Sequence, residues 1–364
     1  MGKEINTNFD FTERLANLYE KIFVEEVDAL LITKIPNVTY FSGFRGDSSA
    51  LLVGRNFRKL ITDGRYIEQA KIEAKNFQII EQTEGLSKKI VEELKNSGCK
   101  KIGIEGLVMT VAEHDYLAKE LKGVELKSIE IDKLRQVKDA AEISCIKRAC
   151  EIADSAFEKI LGFLKPEVSE IEVAAELEYF MRKFGSERAA FTTIVASGWR
   201  GSLPHGIATE KKICAGELVT MDFGAVFNGY CSDMTRTICV GRASAEQKKI
   251  YDAVFSAQIY GLEVITAYKG GKDIDAAVRK ILEDAGFGKN FVHGLGHGVG
   301  LEIHEEPRLS KRSKCESLLP NMIVTDEPGL YIENFGGVRI EDTVLVTQGA
   351  AQPLTLSPKT LIEL

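Results

Sequence analysis

Asp222 and Asp233 flank the dipeptide Asn228-Gly229, which lies between two strand-like runs within Glu217 to Val240. Asn-Gly in that setting signals a two-residue hairpin turn, because both positions accept the positive φ that such a turn requires. A tight turn pairs Phe227 with Tyr230. Counting outward, Gly224 then faces Asp233 and Asp222 faces Thr235. The two aspartates share one face as diagonal neighbours, with backbones about 7–8 Å apart. Carboxylates at that separation can reach a common cation, and the small neighbours Gly224 and Thr235 leave room for one. A solvated hairpin face is the plain alternative. Against it, aspartate is ill suited to strand interiors, and Val219, Met221, Phe223 and Val226 imply burial.

The chain has five histidines, and four of them, His205, His293, His297 and His304, fall between Leu203 and Glu305. Each has glycine, proline or glutamate close by. Singly, each reads as a hydrogen-bonded structural histidine. Grouped with carboxylates, they point to chemistry. Several templates fail. His304-Glu305 is not a zinc-protease helix, since position 308 is Arg and Pro307 opposes a helix. The glycine run from Gly294 to Gly300 lacks dinucleotide spacing, because Val299 occupies a required glycine position. No Gly-x-Ser-x-Gly nucleophile elbow is present. The glycines around His297 instead let the backbone approach a crowded site. Two glutamates complete the candidates. Glu327 precedes Pro328, so its backbone is expected to be extended. Glu341 follows Arg339 by two, so on a strand both point one way while Val338 and Ile340 point the other. An arginine beside a glutamate is often only a structural ion pair.

Positioning these groups requires a mixed scaffold. The first third alternates strands (Ala29 to Thr33, Ala50 to Val53, Lys59 to Thr62, Phe77 to Ile80, Lys101 to Ile104) with helices (Arg65 to Lys75, Leu86 to Lys95, Val111 to Leu121), which predicts an α/β layer domain. A long helix follows. Ile143, Ile146, Cys150, Ala153, Phe157, Ile160 and Leu164 form one apolar stripe that Pro166 ends, more in keeping with a helix on a sheet than with a coiled coil. The domain boundary is placed just before it, near Leu134. Ser169 resembles an N-cap for a helix to about Lys183. Ser244 to Tyr268 and Asp273 to Ala285 read as two more helices, with strands between and after.

At 364 residues the chain is long for a single core. Its 44% apolar and 28% charged residues are ordinary for a globular protein, and a net charge of -7 offers no nucleic-acid footprint. The stretch from Met1 to Asp10 has no apolar leader core, and no run approaches a membrane span. Seven cysteines without a Cys-x-x-Cys pair read as reduced thiols. The expectation is a cytoplasmic protein with no membrane or nucleic-acid partner.

In chain order, Asp222, Asp233, His297, Glu327 and Glu341 resemble the dinuclear metal site of the pita-bread (creatinase/methionine aminopeptidase-like) metallopeptidases. The Xaa-Pro peptidase branch, aminopeptidase P and prolidase, matches best. The resemblance runs through Leu203-Pro-His-Gly206, Met221-Asp-Phe-Gly224, Ser232-Asp-Met-Thr-Arg-Thr237, His293-Gly-Leu-Gly-His-Gly298, Asp326-Glu-Pro-Gly329 and Gly337-Val-Arg-Ile-Glu-Asp342. Asn37-Val-Thr-Tyr-Phe-Ser-Gly-Phe44 and Thr62-Asp-Gly-Arg-Tyr66 are similar to the creatinase-like N-terminal domain. It implies an α+β fold: a pita-bread catalytic domain over 135–364, preceded by a smaller α/β creatinase-like domain over 1–134. It also implies a homodimer and proline-containing peptides as substrates.

The resemblance implies two divalent ions per chain. Asp222 would bind one, Asp233 and Glu341 would bridge both, and His297 and Glu327 would bind the second. Four carboxylates balance two divalent charges. An oxygen-rich set with one imidazole suits Mn²⁺ first, with Co²⁺ or Zn²⁺ as alternatives. Two cations about 3.5–4 Å apart lower the pKa of a shared water and hold hydroxide for attack. Glu327 would shuttle the proton. His205 would stabilise the developing oxyanion. His304 and Arg339 would position the substrate, Arg339 through a carboxylate, with His293 in support. The reading leans to a Xaa-Pro aminopeptidase, with a Xaa-Pro dipeptidase as the alternative. A non-catalytic peptide-binding member or a creatinase-type hydrolase is disfavoured by the full ligand set. A methionine aminopeptidase is disfavoured by the residues preceding the long helix.

Overall fold

The computed structural model describes residues 9–364; the first eight, part of the N-terminal stretch read above for a leader, lie outside the described residues. The chain divides into two compact units, one ending at Arg135 and the other running from Gln136 to Leu364. Both mix helix and sheet, as the α+β expectation requires. No helix among the described residues is long and apolar enough to cross a membrane.

The N-terminal unit runs α1 (Phe11–Val24), β1 (Ala29–Ile32), α2 (Ile35–Ser42), β2 (Ser49–Gly54), β3 (Phe57–Asp63), α3 (Ile67–Glu73), β4 (Gln78–Gln82), α4 (Leu86–Ser97), β5 (Lys101–Ile104), α5 (Val111–Glu120) and β6 (Glu125–Ser128). Its six strands form one sheet in the order β4-β3-β2-β1-β5-β6. The hairpin strands β1, β2 and β3 pair antiparallel, and the other three pairings are parallel. All four residues of β1 are buried, as in a central strand covered on both faces. Neither α1 nor α2 is expected from the sequence pattern. Val38, Thr39, Tyr40 and Phe41 of α2 are β-branched or aromatic and favour strands locally. A helix wins because Pro36 fits the first turn, Gly43 caps the end at φ 80°, and Val38, Tyr40 and Phe41 are buried.

The second unit opens with α6 (Ala140–Ile160) and α7 (Glu170–Lys183). Asp139 and Glu142 cap α6 reciprocally, and Ser169 and Glu172 do the same for α7. α6 stops at Ile160, short of Leu164 and Pro166. Then follow β7 (Ile194–Ser197), β8 (Glu217–Phe223), β9 (Val226–Phe227), β10 (Tyr230–Cys231), β11 (Met234–Val240), α8 (Ala245–Val264) and α9 (Gly271–Asp284). α8 ends before Tyr268 because Ile265 is extended and Tyr268 takes φ 68°. The rest is β12 (Gly296–Gly298), β13 (Glu305–Leu309), β14 (Ile323–Asp326), β15 (Gly329–Ile332), β16 (Gly336–Arg339), β17 (Asp342–Leu345) and β18 (Gln352–Pro353).

Two helix-backed layers result. α6 and α7 bury Phe157, Ile160, Val173 and Leu177 against Val219, Met221, Phe223 and Ile238 of the β11-β8-β7 sheet. α8 and α9 bury Tyr251, Val254, Ile274 and Val278 against Val324, Leu330, Val338, Ile340 and Val344. β12, β14 and β17 lie within a second sheet, ordered β13-β12-β14-β17-β18. Truncating a fully buried anchor such as Phe157 or Phe223 to Ala would cost about 3–5 kcal/mol.

The hairpin adopts the expected register. Phe227 pairs with Tyr230, Phe223 with Met234 and Asp222 with Thr235. Asn228 and Gly229 have φ of 49° and 82°, the two positive values of a type I′ turn.

Candidate metal centre

Strands and the residues directly flanking them present all five expected ligands. Asp222 is the penultimate residue of β8, and Asp233 directly precedes β11. The ladder between them is interrupted: the Ser232 hydroxyl, not a carbonyl, accepts from the Ala225 amide at 3.0 Å. The Asp233 amide is thereby free to donate to Thr343 Oγ1 of β17 at 3.1 Å, tying the hairpin to the second sheet. His297 is the middle residue of β12, Glu327 directly follows β14, and Glu341 lies between β16 and β17. Arg339 and Glu341 face the cavity while Val338 and Ile340 enter the core, so the expected alternation survives the strand break. The glycines beside His297 answer to neighbouring strands. A side chain at Gly296 would overlap the Thr325 carbonyl, and one at Gly298 the Glu306 carbonyl.

Asp233, His297 and Glu341 form the tightest group: one ligand atom from each lies within 4.8 Å of the others, and all three are buried. His297 Nε2 is 3.5 Å from Asp233 Oδ2 and 3.5 Å from Glu327 Oε1. Its Nδ1 lies 3.0 Å from the Gly298 carbonyl. That contact makes Nδ1 the protonated nitrogen and leaves the Nε2 lone pair aimed at the carboxylates, the tautomer that a metal ligand needs. Thr235 Oγ1 donates to Glu341 Oε2 at 2.6 Å, and Thr325 Oγ1 to Glu327 Oε1 at 3.2 Å. Asp222 stands outside the tight group. Its Oδ2 accepts from Arg339 at 2.6 Å, while its Oδ1 is buried with no protein partner.

The electrostatics of the group suit a divalent cation. Burial, then repulsion from neighbouring carboxylates, pushes Asp233 and Glu341 well above the usual carboxylate range. Burial raises Glu327 to about 8, against the field of Arg339. Burial also lowers His297 to about 3, so its imidazole is neutral. Four crowded acids, one neutral imidazole with an inward lone pair and an orphaned Asp222 oxygen fit divalent cations.

The group borders a cavity of about 570 Å³ that is also lined by His205, His293, His304 and Arg339. His293 is occupied on both nitrogens, at 2.7 Å from the Gly294 carbonyl and 2.8 Å from the Tyr331 hydroxyl. Arg339 is occupied too: it donates to Thr235 Oγ1, Pro204 O, the Tyr331 hydroxyl and Asp222. The ion pair expected between Arg339 and Glu341 is therefore replaced by one with Asp222. His205 and His304 are exposed at the cavity, and His304 packs edge-on against His297 with ring centres 4.3 Å apart. Two further lining residues, Tyr331 and Arg308, are not expected from the sequence. Tyr331 links His293 to Arg339. Arg308 contributes a guanidinium with no hydrogen bond or ion pair among the described residues. No motif marks either; only the positive charge at position 308, noted there as an obstacle to a zinc helix, was visible.

Residues 144–348 match the model of metallopeptidase family M24, and residues 14–137 that of the creatinase/prolidase N-terminal domain. The chain is 40% identical to a Xaa-Pro dipeptidase of Pyrococcus furiosus over 96% of its own length and 99% of the relative's. The structure resembles a Xaa-Pro dipeptidase from Bacillus anthracis with a TM-score of 0.94 and 41% identity, covering 98% of this chain and 100% of that one. It also resembles an X-Pro aminopeptidase from Thermotoga maritima, with a TM-score of 0.88 and 36% identity over 95% and 100% of the two chains. With its buried acid and histidine cluster on and beside strands, the chain belongs to metallopeptidase family M24 and carries a creatinase/prolidase-type domain at its N-terminal side.

Proposed function

We propose that this protein hydrolyses the bond between an N-terminal residue and a following proline, with dipeptides as the preferred substrates. The observation that carries the reading is the group Asp222, Asp233, His297, Glu327 and Glu341, of which Asp233, His297 and Glu341 are buried, on a cavity that also holds the unpaired Arg308. Asp222 would hold one divalent ion, Asp233 and Glu341 both, and His297 and Glu327 the second, with Mn²⁺ the first candidate. When bound, the ions supply an activated water for attack on the peptide carbonyl. Glu327 takes a proton on its carboxylate and passes it to the departing proline nitrogen. The His205 ring makes no protein hydrogen bond among the described residues, which leaves it free to donate to the oxyanion. His304 offers a second free imidazole beside the substrate. Arg339 holds Asp222 and Tyr331 in place, and His293 supports Tyr331.

The lean toward a longer-peptide aminopeptidase gives way here to the dipeptidase. Two of the three similar proteins named above are Xaa-Pro dipeptidases. A dipeptide presents its carboxylate one residue beyond the cut bond, and Arg308 is the free guanidinium able to grip it. The test is hydrolysis of Ala-Pro and Ala-Pro-Ala by the Mn²⁺-loaded wild type and Arg308→Ala. The expected result is faster cleavage of Ala-Pro by the wild type, with KM for Ala-Pro raised about tenfold or more in the variant and Ala-Pro-Ala little changed. Faster cleavage of Ala-Pro-Ala, with Arg308→Ala indifferent to chain length, would favour the aminopeptidase.

A further inference from the structure

His205 sits on an excursion of the chain between Ser197, the last residue of β7, and Thr209. Pro204, His205 and Ile207 of this segment line the cavity. Beyond a 3-10 turn over Gly198–Ser202, its internal support is slight. Leu203 donates to the Arg200 carbonyl, Gly206 to that of Leu203 and Ile207 to that of His205, and one isolated bridge joins Ile207 to Ile194. No regular ladder fixes where the histidine points.

Both stems of the segment converge on one side chain. Glu170, the first residue of α7, is fully buried, and it neither lines the cavity nor touches an expected metal ligand. Its Oε1 accepts from the Ser197 amide at 2.8 Å and the Ser197 hydroxyl at 2.9 Å. Its Oε2 accepts from the Thr209 hydroxyl at 2.8 Å and the Thr209 amide at 3.2 Å, and from Arg200. Arg200 in turn donates from its other nitrogen to the Ile207 carbonyl at 2.9 Å. One carboxylate thus gathers the entering stem, the leaving stem and, through Arg200, the residue two beyond His205. The turn between rests on β16: Gly201 and Gly337 approach so closely that a side chain on either would overlap the other's backbone. A buried charge that satisfies five donors is costly to place unless all of them are held in register.

We propose that Glu170 is a positioning residue that sets His205 against the reacting carbonyl. This rests on the reading of His205 as the oxyanion donor. An error of about 1 Å in such a donor, made far from the chemistry, lowers turnover without loosening the metals.

The test is a double-mutant cycle on the Mn²⁺ enzyme, with kcat and KM for Ala-Pro and bound metal measured for Glu170→Gln, His205→Ala and the double variant. The expected result is a kcat about tenfold lower in Glu170→Gln at unchanged metal content. In the His205→Ala background the same change should cost less than about twofold, because residues acting through one group are not additive. An equal loss in both backgrounds, or an unchanged kcat in Glu170→Gln, would overturn the proposal while leaving His205 catalytic. Wild-type kcat in His205→Ala would overturn the reading of His205 and this proposal with it. If Glu170→Gln does not fold, Thr209→Val, which deletes one hydroxyl donor and keeps the Glu170–Arg200 pair, enters the same cycle and is judged by the same non-additivity.

Discussion

Individual side chains at the cavity impose opposite pH dependences on the metal-free protein. Burial raises Glu327 from 4.5 to about 8, so between those values the native state binds more protons than the unfolded chain. That contribution to stability is complete below pH 4.5 and is lost as pH rises through 8. Asp233 and Glu341 shift in the same direction. Burial lowers His297 to about 3 and His293 to about 4 from 6.5, so below 6.5 the native state binds fewer protons there and stability rises with pH. Between pH 6.5 and 8, of these groups only the carboxylates still act. Thermal melts of chelated protein should therefore show a falling midpoint from pH 6.5 to 8, and Mn²⁺ should stabilise more at the upper end. A flat or rising midpoint would mean that these acids are not held protonated. Four candidate ligands stood out locally, as aspartates in an apolar hairpin, a histidine among glycines and a glutamate before proline, but the set of five, Glu341 included, was legible only through the family resemblance. Arg308 and Tyr331 were not. An arginine after Glu306-Pro307 looks like any solvated charge, and the link from Tyr331 to His293 and Arg339 exists only after folding.

Elements place these groups through buried pins. Asp275 and Arg279 face each other one turn apart on α9, both buried, with Arg279 Nη2 3.1 Å from Asp275 Oδ1. Arg279 donates to the carbonyls of Phe291 at 2.8 Å and His293 at 2.7 Å, and Asp275 accepts the Leu295 amide at 3.0 Å. The pair holds the strand-free approach to His297. Arg279→Ala leaves a buried aspartate unpaired, which should cost about 3–5 kcal/mol in a denaturant melt. Metal affinity should drop about 10–100-fold as His297 loses its support. Wild-type affinity in a folded Arg279→Ala would show that β12 alone orients the histidine. The hairpin register could be counted from sequence because Asn228-Gly229 encodes it within a few residues. No such code covers β12 to β17. These strands run only three to five residues, are broken by glycines, and find partners chosen by the fold as a whole.

At the scale of the molecule, the candidate ligands are divided between the two helix-backed layers of the second unit. Asp222 and Asp233 come from the hairpin against α6 and α7, and His297, Glu327 and Glu341 from strands against α8 and α9. Bound cations would join the layers and stabilise the fold by mass action. Each layer has its own apolar core, so the metal-free chain should still fold. Chelation followed by metal titration reaches this account most directly. The protein is stripped with a chelator until elemental analysis finds no transition metal, then assayed on Ala-Pro and Ala-Ala-Ala while Mn²⁺ is added back. The account predicts no hydrolysis by the stripped protein, recovery of Ala-Pro cleavage that levels off at two ions per chain, and little cleavage of Ala-Ala-Ala. Full Ala-Pro hydrolysis by verified metal-free protein, or equal cleavage of the two peptides after loading, would contradict it.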